Sequence, residues 1–331
     1  MANVTSLSWS QIKGGHRQPK AAILVHPHAM TRLIVLLSVL LFALPGLASA
    51  QAQPSDRDRP FASERIVVET RGRGPDVILI PGLASTGDVW ARTADRLDDD
   101  YRVHIVSIRG FGAVPPGRNE DGTLVAPVAA ELRRYIAERR LDRPAVIGHS
   151  MGGLVALKAA ADAGRDRRNP IGRVMVVDAT PFFPALISPG ATSGDVEPIA
   201  QIAYQALLLL GDAALRNQPT LIGRELGGAA DSVFGSLGWQ GGDRQVLAQG
   251  LYEVMTTDLR HRLPDITAPV TVVYGWSPDT SNPRARLDAA FQAAYRSLRA
   301  PARFERIEGA EHMVMIDQPQ RFLAAVGRFL G

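Results

Sequence analysis

Five residues, Gly148-His149-Ser150-Met151-Gly152, constrain this chain more than any other stretch. Ahead of them Ala145, Val146 and Ile147 form a short apolar run of the kind that makes a buried strand. Behind them Leu154, Val155, Ala156, Leu157, Ala159 and Ala160 continue as an apolar helix. A strand that passes directly into a helix must turn sharply, and Ser150 at the apex takes crowded backbone angles. Glycines two residues before and two after it remove the side chains that would collide there. Such a strand, turn and helix form the repeating unit of a parallel sheet, because parallel neighbours are joined by crossovers.

The rest of the chain carries the same alternation. Strands are expected at Arg65 to Thr70, Asp76 to Ile80, Tyr101 to Ile108, Ala145 to His149, Val174 to Val177, Val270 to Tyr274 and Arg303 to Ile307. Helices are expected after Ser85-Thr86-Gly87-Asp88 and over Val125 to Arg139, Ala285 to Leu298 and Pro319 to Leu330. The fold class is therefore α/β, with a mostly parallel sheet covered on both faces and right-handed crossovers. Residues 181–264 interrupt the alternation with helix-like runs, Ile199 to Leu210 and Arg244 to Met255, and read as a helical cap inserted into a core of 63–180 and 265–331. Within the cap, Leu207-Leu208-Leu209-Leu210 is the most apolar run and is expected to border a largely apolar pocket.

The N-terminal 50 residues stand apart. Met30-Thr31-Arg32 precedes an apolar run from Leu33 to Leu44, and Pro45-Gly46-Leu47-Ala48-Ser49-Ala50 ends in small residues. These are the three regions of a secretory signal with cleavage after Ala50, and Met30 is the more ordinary start. The run is shorter than the roughly 20 residues of a spanning helix, so export without a stable membrane span is the expectation, with an uncleaved anchor as the alternative. Residues 51–62 read as a flexible lead-in. The chain has 37 basic and 33 acidic residues, and Lys13, Arg17, Lys20 and Arg32 lie in a leader that has no acid. The remainder balances, which argues against a nucleic-acid-binding surface. There is no cysteine in the chain, so disulfides, thiolate nucleophiles and cysteine metal sites are all excluded.

A hydroxyl is then the leading nucleophile. The pattern G-x-S-x-G alone arises by chance in about one chain in ten of this length; the strand before it and the helix after it make it specific. Ser150 needs a base with a pKa near neutrality, and histidine supplies one. His312, in Glu308-Gly309-Ala310-Glu311-His312, follows the last strand and is the better base. His104 lies mid-strand, His149 reads as packing beneath the turn, and His261 reads as a surface residue at the end of the cap. A carboxylate must hold the imidazole in one tautomer. Asp279, after the penultimate expected strand, is the first choice, and Asp178, which also ends a strand, is the competitor. Backbone N–H groups of Leu83 and Met151 are the expected oxyanion donors. The sequence contains no phosphate loop or metal constellation, so no cofactor is expected.

With these residues in view, the chain resembles the α/β-hydrolase superfamily, in particular its small serine-esterase and C–C hydrolase branch. Gly148-His149-Ser150-Met151-Gly152 carries the resemblance, supported by Arg109-Gly110-Phe111-Gly112 and Glu311-His312, over about residues 63–331. The resemblance implies Ser150 as nucleophile, His312 as base, Asp279 as acid, and Leu83 with Met151 as oxyanion hole. Pro81-Gly82 replaces the family's usual His-Gly, and Asp279 stands four residues after Gly275 where the family places its acid three after, which keeps Asp178 in contention. A small-molecule ester or related acyl compound is the implied substrate. Hydrolysis of a C–C bond in a diketone-like substrate, and noncatalytic ligand binding, are the other readings.

Overall fold

Strand β4, Ala145–His149, is buried along its whole length and lies at the centre of a seven-stranded sheet. The computed structural model of the chain describes residues 60–166, 170–217, 240–278 and 283–331. The expected secretory signal lies outside the described residues. The remaining strands are β1 (Ile66–Arg71), β2 (Asp76–Ile80), β3 (Arg102–Ile108), β5 (Arg173–Val177), β6 (Val270–Trp276) and β7 (Arg303–Glu308). Their order is β1-β3-β2-β4-β5-β6-β7. Only β1 runs antiparallel, pairing Ile66 with Ile108 at the edge. All the other pairings are parallel.

The parallel strands are rich in Val and Ile because both faces of the sheet are covered. Side chains alternate across it. Ile78, Ile80, Val146, Val174, Val176 and Val272 enter one core with helices α2 (Val125–Glu138) and α3 (Met151–Asp166). Val77, Leu79, Ile147, Met175, Val177 and Val273 enter the other with α1 (Ala91–Leu97) and, further along the chain, α8 (Pro319–Leu330). The helix expected after Ser85 to Asp88 is split. A 3₁₀ turn, Gly87–Trp90, capped by the Thr86 hydroxyl, precedes α1.

Between β5 and β6 the described residues form no strand. They form α4 (Ser193–Asn217), α5 (Arg244–Thr256) and two 3₁₀ turns. Helices α4 and α5 pack together, with the Gln245 side chain donating to the Tyr204 hydroxyl at 2.6 Å. The leucine run divides by helical phase: Leu207 is buried in the core, while Leu209 is 78% exposed and borders an open, apolar surface depression with Ile202 and Ala206. The side chain of Leu210 is outside the described set. Helix α5 is fastened to the core through Glu253. Its carboxylate accepts the backbone N–H groups of Leu124 at 2.5 Å and Val125 at 2.8 Å, and so caps α2 from 128 or more residues away. Helices α6 (Arg284–Ala294) and α7 (Val314–Asp317) complete the set.

Candidate active site

The site grows from the sharp turn after β4. Ser150 has φ +52°, in the left-handed region that L side chains avoid, and is only 3% exposed. The surrounding packing holds it there. Its N–H donates to the Val177 carbonyl at 2.9 Å, and its own carbonyl accepts from the Gly153 N–H at 2.8 Å as α3 begins. A Cβ on Gly148 would come within 2.2 Å of the Gly152 carbonyl oxygen, and one on Gly152 within 2.5 Å of the Ile80 and Pro81 carbonyl oxygens. Both positions therefore require glycine, because the turn is pressed against itself and against the end of β2.

Two backbone segments meet at this end of the sheet. Met151 is the first residue of α3, so its N–H has no partner within the helix and lies at the positive end of the helix dipole. The loop after β2 passes directly over the turn: a Cβ on Gly82 would stand 3.0 Å from the Ser150 Cβ. Leu83 follows in that loop and is buried. Above both lies α5, where Gly250 leaves room. A Cβ on Gly250 would meet the Leu83 Cδ1 at 2.6 Å and the Met151 Sδ at 3.6 Å.

His312 lies in the loop between β7 and α7, at the carboxyl edge of the sheet. Its Nδ1 is 2.7 Å from the Asp178 Oδ2. A carboxylate only accepts, so Nδ1 donates, and in the neutral ring Nε2 keeps its lone pair. Nε2 is buried and has no partner among the described residues. Asp178 directly follows β5 with φ +46°, its N–H donates to the Val273 carbonyl at 2.7 Å, and its Oδ1 accepts the Gly275 N–H at 3.2 Å. Gly275 also lets the end of β6 approach the His312 loop, since a Cβ there would meet the Glu311 carbonyl oxygen at 2.2 Å. Behind the carboxylate, burial and then the Asp178 charge push the Tyr295 phenol well above its ordinary range.

Asp279 lies outside the described residues. The carboxylate on His312 is that of Asp178, the second choice from sequence. The reason is topological: β5 is the immediate neighbour of β4, so its last residue stands beside the turn that carries Ser150. His261 is exposed. His104 is a structural side chain, 2.7 Å from the Tyr135 hydroxyl and 2.9 Å from the Asp76 Oδ1. Burial pushes the Asp76 carboxyl up, and its hydrogen bonds with His104 and Arg102 outweigh that and hold it below its usual range. His149 is buried as expected, yet sequence reasoning missed its bond to His312: Nε2 is 2.9 Å from the His312 carbonyl oxygen. No local signal could show a contact spanning 163 positions.

Residues 77–325 match the model of the alpha/beta hydrolase family. A pimeloyl-[acyl-carrier protein] methyl ester esterase from Aeromonas salmonicida is 28% identical over 280 residues, covering 80% of this chain and 99% of that protein. Its counterpart from Vibrio vulnificus is 26% identical over 218 residues, covering 62% of this chain and 77% of that protein. Among solved structures, a thermophilic esterase from Thermogutta terrifontis superposes with a TM-score of 0.59 at 20% identity, covering 82% of this chain and 98% of the other.

Proposed function

The chain belongs to the alpha/beta hydrolase family, and from that membership we propose that it hydrolyses carboxylic esters through an acyl-enzyme on Ser150. One observation carries the reading: His312 donates Nδ1–H to Asp178 at 2.7 Å and keeps a buried, unpartnered Nε2 at the sheet edge where Ser150 stands in strained geometry. Relatives named as methyl ester esterases support the choice of an ester.

In the proposed reaction the Ser150 Oγ attacks the ester carbonyl carbon while His312 Nε2 takes the hydroxyl proton. Asp178 holds the ring in the correct tautomer and stabilises the imidazolium that forms. The Met151 and Leu83 N–H groups receive the negative oxygen of the tetrahedral intermediate. Collapse expels the alcohol, which leaves with the proton from His312. A water molecule, deprotonated by the same Nε2, then attacks the acyl carbon and releases the acid and the free serine. The substrate is a small alkyl ester with a largely apolar acyl chain, since Leu83, Met151 and the cap helix α5 border the reacting centre. Residues 30–50 direct the protein out of the cytoplasm, and N-terminal sequencing of the exported protein should find Gln51; retention of residues 1–29 would refute that assignment.

Ser150→Ala tests the reaction. It should abolish turnover of short p-nitrophenyl esters while the melting curve stays close to that of the parent. Unchanged turnover would exclude the serine mechanism.

A further inference from the structure

His149 is a buried ionisable side chain next to Ser150 to which the proposed reaction gives no task. Its ring is fully buried, and its centroid lies 4.6 Å from that of His312 with the planes inclined by 51°. A backbone carbonyl only accepts, so His149 Nε2 carries the hydrogen and donates to the His312 carbonyl oxygen at 2.9 Å. In the neutral ring Nδ1 is then the acceptor; it is buried, has no partner among the described residues, and lies against the backbone at Gly82.

Asp178 grips the side chain of His312, and His149 grips its backbone. Other bonds tie neighbouring parts of the same loop: the Gly309 N–H donates to the Trp276 carbonyl at 2.8 Å and the Glu311 N–H to the Asp317 carboxylate at 2.9 Å. Neither reaches residue 312 itself. We infer that His149 is a positioning residue for the base: its N–H bond to the His312 carbonyl fixes the loop so that His312 Nε2 stands where the Ser150 proton is handed over. The inference rests on the reading of His312 as general base.

The charge state agrees with this role. Burial, then the neighbouring His312, hold the His149 imidazole well below its ordinary range, against a smaller opposing effect of the bond to the His312 carbonyl. His149 thus stays neutral when His312 becomes an imidazolium, and the anchor adds no second positive charge beside the forming cation.

Two substitutions separate anchoring from packing. His149→Phe keeps a ring and loses the donor, whereas His149→Gln retains an N–H of similar reach. With p-nitrophenyl acetate, the Phe variant should lose roughly 10- to 100-fold in kcat, as misplacement of a catalytic group does, with KM changed by no more than about twofold. The pH profile of kcat/KM should shift with it, and the Gln variant should recover most of the loss. Should the Phe variant fail to fold, His149→Leu takes its place under the same expectation. Parent-like kcat and pH profile in the donor-less variant would overturn the inference. So would a Gln variant as impaired as the Phe variant, with both melting early, which is the behaviour of a packing group. Ser150→Ala assayed in parallel keeps the two readings apart: activity retained there refutes the serine mechanism itself, whereas activity lost there beside an unaffected donor-less variant refutes only the role of His149.

Discussion

Asp178 is the residue on which the site turns, because it joins the end of β5 to His312 and is steadied by the N–H of Gly275. Asp178→Asn should leave the fold intact and lower kcat by about 10⁴-fold, since an amide stabilises neither the right tautomer nor the imidazolium. Kinetics on the Asn variant, set beside Asp279→Asn, checks this; a larger loss at Asp279 would move the acid there. His149 gives a second prediction at this scale, and its sign follows from linkage. Its folded-state pKa lies below the unfolded value of about 6.5, so the unfolded chain binds the extra proton first. The stability it confers is complete above pH 6.5 and declines as pH falls towards the folded value, by at most about 1.4 kcal/mol per pH unit. Melting temperatures recorded downward from pH 7 should fall less steeply for His149→Gln than for the parent, and parallel curves would contradict the buried, neutral assignment.

At the scale of elements, the strands were legible because their chemistry is local. Asp76–Ile80 and Ala145–His149 have the bounds that the apolar runs indicate, and Pro319–Leu330 opens on the proline that starts it. The start of α2 was not legible in the same way. Leu124 offers no capping side chain, and the carboxylate that serves the helix comes from Glu253 on α5. Glu253→Ala should cost on the order of 1–3 kcal/mol, because two buried N–H groups lose their acceptor, and denaturant unfolding measures it. A variant as stable as the parent would show that this contact does not fasten the cap. Gly250 ties the same helix to the proposed reaction: a methyl group there would stand 2.6 Å from Leu83 Cδ1, in the loop proposed to offer an oxyanion donor. Gly250→Ala should therefore reduce kcat more than it reduces stability, a split that ester kinetics and a melting curve resolve together.

At the scale of the whole molecule, a single sheet edge gathers groups scattered over 230 positions, from Leu83 through Ser150 and Asp178 to His312. Ser150 and His312 could be read from the sequence because each follows a recognisable strand, and strand ends in a parallel sheet share one edge. The choice between two acids could not, since both follow strands and only the sheet order tells which strand lies beside β4. The bond from His149 was hidden for the same reason, being a tertiary contact between residues with no common pattern. The measurement that tests the account most directly is peptide mapping after exposure to a fluorophosphonate. The account predicts one adduct per chain, on the peptide containing Ser150, and none once the protein is denatured beforehand. An unlabelled native protein, or an adduct on another residue, would contradict it.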